Sequence, residues 1–301
     1  MTWLGPLLIA LLLLNSLIGA ALIYSAARSG SGSYFARQIL WMGISLVVLF
    51  LTLTIDYKLW MGISPTLYGL FLAALAALLV FGRGISGARS WIGLAFVGGQ
   101  PSEPMKVVVL LLVALIFSDF RRPTISADFA ALGGAAALVP MLLVAAQPDM
   151  GTAMSFLPIP LAAFFFAGLN RRTVAVILIV AIVAGLVGWN LLLKDYQKKR
   201  ILTLLSPNED PRGAGYHVRQ SRIAIGSGGL SGKGFLKGTQ SQLRFLPARH
   251  TDFIFSVLGE EFGFLGVFAV LLSYFLFLAR IFLSVPKSRD RAGMYVIFMA
   301  A

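Results

Sequence analysis

The sequence contains no cysteine and only two histidines, His217 and His250, in 301 residues. The absence of cysteine excludes disulfides, thiolate metal sites and cysteine nucleophiles, and two histidines are too few for a histidine-rich metal site. Charged residues are also scarce, because they make up 12% of the chain against roughly 25% in an average soluble domain. Hydrophobic residues make up 58%. This composition predicts a polytopic membrane protein.

Apolar runs of about 20 residues predict transmembrane helices. We expect an all-α polytopic membrane protein, a single integral membrane domain over residues 1–301, with eight complete spans at about residues 4–26, 36–54, 65–82, 104–118, 129–146, 152–169, 173–193 and 262–283. The fourth run reaches spanning length only by including Glu103, or Ser118 and Asp119. A ninth run begins near Ala292 and stops at Ala301, which predicts that the sequence ends inside a helix. No cleavable signal peptide is predicted, since the first run has no basic segment before it.

Lysine and arginine are more frequent in the short loops on one side of the predicted spans, and such loops face the cytoplasm. The N-terminus is therefore predicted to be cytoplasmic and the long polar loop, about residues 194–250, extracytoplasmic. That loop carries most of the formal charge of +13. At residues 194–205 the pattern favours contact with anionic membrane lipids, and at residues 219–249 it favours an anionic substrate. No nucleic acid partner is expected for a charge placed in this way.

The glycine-rich run at residues 226–234 does not fit a nucleotide-binding loop. A Walker A sequence needs glycine five residues before its final Gly-Lys and Ser or Thr after it, but Ser227 and Gly234 occupy those positions. Two interpretations stay open. The run forms an anion-binding concavity from backbone N–H groups with Lys233 and Lys237, or it is a re-entrant loop whose glycines serve packing.

Several charged residues fall inside or beside the predicted spans, where charges are costly and often functional. Glu103 and Lys106 lie three residues apart on one helix face, so they are predicted to pair, either as a structural ion pair or as part of a site. Asp149 follows a proline in a tight turn and is predicted to cap the next helix. Glu260 and Glu261 lie at the edge of the eighth span, where an interfacial position explains them.

Asp252 is the main candidate for a catalytic residue. It is a lone carboxylate between the cationic loop and an apolar run, next to His250, and this position suits a group that accepts a proton. The alternative is a helix N-cap, because Thr251 and Asp252 directly precede the apolar residues 253–258.

The chain resembles the SEDS family of shape, elongation, division and sporulation proteins in motifs that follow one another over nearly its whole length. These motifs are Trp91, Gln100-Pro101-Ser102-Glu103 with Lys106, Gln147-Pro148-Asp149-Met150-Gly151-Thr152, Asp210-Pro211, Gly215-Tyr216, the run from Gln220 to Gly229, His250-Thr251-Asp252-Phe253-Ile254-Phe255 and Gly259-Glu260-Glu261. The segment from Gly238 to Leu243 is more similar to the RodA, or elongation, branch than to the FtsW, or division, branch.

The resemblance implies a ten-helix inner-membrane peptidoglycan glycosyltransferase that acts in cell-wall elongation. Its substrate would be lipid II, the undecaprenyl pyrophosphate-linked disaccharide pentapeptide, and its partner a class B penicillin-binding protein. Asp252 would be the general base, and the substrate-binding residues would be Trp91, Glu103, Lys106, Arg219, Arg222, Lys233, Lys237, Gln240, His250 and Thr251. Ala248 departs from the family, because many relatives have glutamate there, and this weakens a mechanism with two carboxylates.

No cofactor is predicted with certainty. A divalent cation, Mg²⁺ or Mn²⁺, is the alternative, although no acidic cluster in the sequence predicts one. Two other functions stay open beside the polymerase: a flippase for lipid-linked precursor and a scaffold that only positions its partner enzyme.

Overall fold

The computed structural model describes residues 4–28, 33–85, 88–91, 99–118, 127–168, 214–243, 245 and 249–301, together with the single positions 175, 179, 183, 185, 190 and 198. In chain order its elements are α1 (Leu4–Ala27), α2 (Ser33–Thr54), α3 (Tyr57–Phe81), β1 (Arg83–Ile85), β2 (Ala88–Trp91), α4 (Ser102–Ser118), α5 (Ala127–Ala146), α6 (Met150–Met154), α7 (Pro158–Ala167), α8 (Ala214–Ser227), α9 (Thr239–Gln242), α10 (Ile254–Ser284), a 3-10 turn (Val285–Lys287) and α11 (Arg291–Ala300). Six of the described helical segments are long and apolar enough to cross a membrane. The prediction of an all-α polytopic membrane protein is confirmed as a fold class.

The predicted spans differ from the helices where polar residues or proline interrupt an apolar run. Helix α3 begins at Tyr57, well before residue 65, because the Asp56 side chain caps it by accepting a hydrogen bond from the Lys58 N–H (2.9 Å). The predicted span 152–169 is divided between α6 and α7, the second of which begins with Pro158. The span predicted at 173–193 lies almost wholly outside the described residues. The ninth run is a helix, as predicted.

A short antiparallel hairpin, β1 with β2, departs from the purely helical prediction. Its pairing places Arg83 opposite Trp91 and Ile85 opposite Ala88. Within the described residues it is the only sheet.

The chain forms two compact units. The first unit comprises Met1–Phe50 and Leu178–Arg280, and the second comprises Leu51–Ile177 and Ile281–Ala301. Each has its own set of buried apolar side chains.

Helix α4 is the centre of the second unit, where it packs against α3, α5, α7 and α11. Met105, Val109, Val113 and Phe117 follow one another at four-residue intervals and are fully buried, as expected for one face of a helix inside a bundle. The helix has 17 residues and includes Glu103 and Ser118 at its ends.

Asp290 connects the two chain segments that form the second unit. Its carboxylate accepts hydrogen bonds from the Tyr57 hydroxyl (2.6 Å) and the Gly293 N–H (2.9 Å), and it pairs with Lys58 Nζ at 3.1 Å. The hydrogen bond from Tyr57 is the largest of the influences that lower the pKa of Asp290 from 3.8 to about 2. The hydrogen bond from the Gly293 N–H makes Asp290 the N-cap of α11.

In the first unit, Leu22 and Ala26 of α1 pack against Val257 and Leu258 of α10. Helix α8 runs parallel to the start of α10, because a residue further along α8 contacts a residue further along the chain at α10. The His217 ring lies 6.5 Å from the Phe253 ring, and the hydroxyls of Ser221 and Ser256 are 2.7 Å apart. The first unit therefore has α10 in contact with both α1 and α8.

Helix α10 is broken at Gly263, whose φ of 63° and ψ of −162° are not helical. The break frees backbone groups, and the glycine loop (residues 228–234) binds them. The carbonyls of Glu260 and Glu261 accept from the N–H groups of residues 233 (3.0 Å) and 234 (2.9 Å), and the N–H groups of residues 264 and 265 donate to the carbonyls of residues 229 (2.9 Å) and 230 (3.0 Å). Freed backbone groups in a membrane need such internal partners.

The glycines of this loop are required by close approach to α10. A Cβ at Gly228 would collide with the Gly259 carbonyl oxygen, and a Cβ at Gly232 would collide with that of Glu261. The backbone N–H groups of residues 228, 229, 232, 233 and 234 all donate to backbone carbonyls. These five groups are not available to an anion, so of the two interpretations left open by the sequence the packing one is supported.

We expect Gly228→Ala to lower the free energy of unfolding by about 1–3 kcal/mol, because the added methyl group forces the glycine loop away from α10. Gly226→Ala is the matched control, since no atom lies within 4 Å of a Cβ built there. Thermal unfolding in detergent would compare the two. Equal melting temperatures for both variants would contradict the close packing of the loop.

We expect Asp290→Asn to lower the melting temperature at neutral pH. A carboxylate whose native pKa lies below its ordinary value stabilises the fold above that ordinary value, and the contribution is lost as pH falls through about 2. The difference between Asp290→Asn and wild type should therefore shrink between about pH 4 and pH 2. Asp128→Asn, at an exposed site in the first turn of α5, should show no such trend.

Candidate functional site

Glu260 and Glu261 form a buried carboxylate pair, with exposed fractions of 0% and 1%. Both side chains are enclosed by protein, and their position at the membrane boundary stays a prediction. Buried carboxylates are stable only when they are paired or well hydrogen-bonded. The first unit supplies those partners from the glycine loop, from the segment that follows it and from α1.

Glu260 accepts four hydrogen bonds from one stretch of chain. Its Oε1 atom accepts from Lys233 Nζ (2.8 Å), the Thr239 hydroxyl (3.1 Å) and the Gln240 backbone N–H (2.8 Å), and its Oε2 atom accepts from the Ser241 N–H (3.1 Å). Lys233 Nζ also donates to the Thr239 hydroxyl at 2.8 Å. The carboxylate thus holds the first turn of α9 against α10, and the Lys233 ammonium neutralises its charge.

Glu261 points toward α1. The Ser25 hydroxyl donates to its Oε1 atom, and the backbone amides of Leu236 and Gly238 also face the carboxylate. Gln242 Nε2 donates to the Ser25 carbonyl at 3.1 Å. The segment around α9 is therefore attached to α1 as well as to α10.

Arg249 makes a second attachment to α1. Its guanidinium is buried, and it donates from Nε to the Ala26 carbonyl (2.7 Å) and from Nη1 to the Ser241 carbonyl. In the sequence this arginine is one of many basic residues in the long loop. In the structure it connects α9 to α1.

Asp252 lies between Arg249 and the first residue of α10, Ile254, and its side chain is exposed. The backbone turns here through hydrogen bonds from the Ile254 N–H to the Thr251 carbonyl (3.4 Å) and from the Ser256 N–H to the Phe253 carbonyl (3.0 Å). Among the residues described, none hydrogen-bonds to the Asp252 carboxylate, so the N-cap alternative gains no support. The Asp252 carboxylate therefore lies exposed at the surface of the first unit.

His250 and Thr251 precede Asp252 directly. The His250 ring stacks on Tyr34 with centroids 3.8 Å apart and an interplanar angle of 30°. Thr251 is exposed. The predicted site residues His250, Thr251 and Asp252 thus form one short surface segment that is tied to α2 through a ring contact.

The predicted basic ligands divide into two groups. Arg219 and Arg222 are exposed on α8, and Lys237 is exposed beyond the glycine loop. Lys233 is instead committed to Glu260, as is the backbone of Gln240. A direct role for these residues in binding substrate stays a prediction.

The remaining predicted residues lie in the second unit. Glu103 and Lys106 pair at 2.9 Å, as the sequence predicted, with 57% and 28% of their side chains exposed. Asp149 caps α6 by accepting from the Thr152 N–H (3.2 Å), which confirms the predicted cap, and it also accepts from Gln100 Nε2 (2.8 Å). Trp91 ends β2, where the structure describes its backbone.

No three histidine, aspartate or glutamate side chains converge as metal ligands in the described part of the chain. A divalent cation in this region would depend on ligands from a bound substrate, since the oxygen-rich sets that hold Mg²⁺ commonly include substrate phosphates.

Sequence reasoning missed Ser25, Tyr34, Arg249 and the structural role of Glu260. Two adjacent glutamates inside an apolar run are a signal of buried function or structure that could have been given more weight. No local signal identifies Ser25 or Arg249, because their partners are more than 200 positions away: the separations are 236 for Ser25 with Glu261 and 223 for Arg249 with Ala26.

Comparisons with known proteins give consistent relatives. The pattern of the FtsW, RodA and SpoVE family, described as cell cycle proteins, matches residues 3–300. The peptidoglycan glycosyltransferase MrdB of Escherichia coli is 42% identical over 280 residues, covering 92% of this chain and 74% of the relative. The peptidoglycan glycosyltransferase RodA of Treponema pallidum is 32% identical over 350 residues, covering 90% of this chain and 80% of the relative.

Solved structures show the same fold. A chain from a study of the structural coordination of polymerization and crosslinking by a peptidoglycan synthase complex has a TM-score of 0.78 at 31% identity, covering 97% of this chain and 81% of its own length. The rod shape determining protein RodA of Thermus thermophilus has a TM-score of 0.69 at 27% identity, covering 97% and 79%.

We expect Glu260→Gln to lower the free energy of unfolding by about 3 kcal/mol, because it leaves the Lys233 ammonium without its buried partner. The double variant Glu260→Gln with Lys233→Met should recover part of that loss. Glu103→Gln, which breaks a largely exposed pair, is the matched control and should cost less than about 1 kcal/mol. Equal losses for Glu260→Gln and Glu103→Gln would contradict the structural role of the buried pair.

Proposed function

Because the chain belongs to the FtsW, RodA and SpoVE family and is a peptidoglycan glycosyltransferase, we propose that it polymerises lipid II by an inverting transfer with Asp252 as general base. The glycan strands so formed serve cell-wall elongation. The observation that carries the assignment of Asp252 is its position: an exposed carboxylate on a segment fixed by buried contacts on both sides.

The chemistry of lipid II polymerisation requires at least one base. The donor sugar is linked to pyrophosphate in the α configuration and the polymer is β-linked, so one in-line displacement with inversion is sufficient. Asp252 takes the proton from the acceptor 4-hydroxyl while that oxygen forms a bond to the donor anomeric carbon. The bond from this carbon to the pyrophosphate oxygen breaks, and undecaprenyl pyrophosphate leaves with the electron pair. A positioned base contributes about 10²- to 10⁴-fold to such a step.

Charge on the leaving pyrophosphate needs stabilisation but no proton. The exposed side chains of Arg222 and Lys237 support this assignment, because neither is enclosed by protein as Arg249 is, and Arg219, which is also exposed, is assigned with them. Lys233 is the weakest of the predicted basic ligands, since its ammonium already pairs with Glu260. Mg²⁺ or Mn²⁺ would be held mainly by the pyrophosphate itself, and no step depends on it.

The sugar and peptide of lipid II need other contacts. We assign Trp91, Gln240, His250 and Thr251 to this role, and we assign the Glu103–Lys106 pair to a polar contact with the headgroup. The stacked ring of His250 supports its part in the assignment, because the contact with Tyr34 fixes its orientation beside Asp252.

A class B penicillin-binding protein is the proposed partner. The support is the similarity to a chain from a peptidoglycan synthase complex that coordinates polymerization and crosslinking. The proposed location is the bacterial inner membrane, with a cytoplasmic N-terminus and the long loop outside, where lipid II is polymerised. This orientation follows from the distribution of basic residues in the short loops.

We expect Asp252→Asn to reduce lipid II polymerisation by purified protein and partner about 10²- to 10⁴-fold, because the amide cannot accept the proton. Asp128→Asn, at an exposed site in the first turn of α5, is the control for an exposed aspartate and should polymerise at the wild-type rate. The measurement is glycan strand formation in a defined detergent mixture with equal amounts of folded protein.

A wild-type rate for Asp252→Asn would remove Asp252 from the mechanism. Transport of labelled lipid II across vesicles by the wild-type protein, without any strand formation, would instead support the flippase alternative. If the partner polymerises lipid II at an unchanged rate and this chain contributes no catalysis, the result would support the scaffold alternative.

A further inference from the structure

We propose that Arg249 is a positioning residue that fixes the segment carrying Asp252. The proposal rests on the proposed function, because it matters for catalysis only if Asp252 takes part in the reaction. It concerns a buried guanidinium that donates to backbone carbonyls of two helices.

Arg249 joins two helix ends. The Ala26 carbonyl belongs to the last turn of α1 and the Ser241 carbonyl to the last turn of α9, and carbonyls at these positions lack partners within their own helix. The guanidinium satisfies both, with 8% of the residue exposed. A cation at the carbonyl ends of helices is also favoured by their partial negative charge.

The attachment lies close to Asp252 in the chain. Arg249 is three residues before Asp252, and α10 begins two residues after it, at Ile254. No hydrogen bond within the described part of the chain orients the Asp252 carboxylate, so its position follows from the backbone. That backbone is fixed by the guanidinium of Arg249 and the His250–Tyr34 stack on one side, and by the first turn of α10 on the other.

The α10 side is itself fixed by the same assembly. Glu260 on α10 accepts from the Ser241 N–H, and Arg249 donates to the Ser241 carbonyl, so both act on the single turn of α9. Displacement of Arg249 would therefore leave α9 attached to α1, among the described residues, through Gln242 alone. The segment that carries Asp252 would then be supported by α10 and by the His250–Tyr34 stack.

Arginine suits this connection because it donates from two separate nitrogens, Nε and Nη1. The guanidinium holds these donors in a rigid plane, whereas a lysine carries all its donors on one nitrogen at the end of a flexible stem. Arg249→Lys thus keeps the charge and changes only the two-point attachment.

The test is steady-state polymerisation by Arg249→Lys in complex with its partner. We expect kcat to fall about 10- to 100-fold, the size of effect produced when a reacting group moves by about 1 Å. The KM for lipid II should stay within about twofold, because the guanidinium is buried inside the protein. Arg289→Lys, at an exposed site between α10 and α11, is the matched control and should retain wild-type kcat.

A double-variant cycle separates positioning from a general structural effect. If Arg249 acts through Asp252, Arg249→Lys should lower the rate of Asp252→Glu by much less than it lowers the wild-type rate, because the carboxylate is already displaced. An equal factor in both backgrounds would overturn the proposal. So would a wild-type kcat for Arg249→Lys, or a fall in kcat matched by loss of partner binding and of folded protein.

A spectroscopic measurement tests the anchoring directly. The chain has no cysteine, so Thr251→Cys can carry a single spin label in an otherwise native sequence. The label should be more mobile in Arg249→Lys than in the parent, and unchanged mobility would overturn the proposal. If Asp252→Asn retains the wild-type rate, the proposed base is wrong, and the label still reports whether Arg249 anchors the segment.

Discussion

The break in α10 at Gly263 is the feature on which the rest of the first unit depends. A helix interrupted within an apolar span leaves carbonyl and N–H groups without partners, and each such group costs several kcal/mol in lipid unless protein supplies a hydrogen bond. The glycine loop supplies four such hydrogen bonds. This demand explains why the loop consists of residues that allow backbone to approach backbone, and why a glycine-rich run beside two lysines binds a helix.

The same break places Glu260 and Glu261 at the point where the loop meets α10. Their backbone carbonyls bind the glycine loop, and their carboxylates bind the segment beyond it. A buried carboxylate with four hydrogen bonds and an ammonium partner is poorly suited to accept a proton from a substrate, because protonation would break those contacts. An exposed carboxylate without structural contacts among the described residues, such as Asp252, is better suited. In the first unit, the buried glutamates thus serve the structure, and Asp252 is the acidic residue proposed for the chemistry.

The sequence predicted the features that depend on neighbouring residues. Runs of apolar residues predicted most of the helices, the three-residue spacing predicted the Glu103–Lys106 pair, and the residue after Pro148 predicted the cap at Asp149. The sequence did not predict the break at Gly263, because its partners lie in a loop some 30 positions earlier. Nor did it predict that Lys233 pairs with Glu260, since that contact depends on the fold of the whole loop.

The basic residues of the long loop show why net charge is an incomplete guide to ligand binding. Lys233 is bound to a carboxylate and Arg249 to backbone carbonyls, so both charged groups already have partners inside the protein. Arg222 and Lys237 are exposed and keep the capacity to attract an anion. A cation buried in hydrogen bonds has already exchanged its hydration for protein contacts, and moving it to a pyrophosphate would leave its former partners unsatisfied. Under the proposed function, binding of the anionic substrate is therefore assigned to the exposed basic residues, and the buried ones hold the segment that carries Asp252.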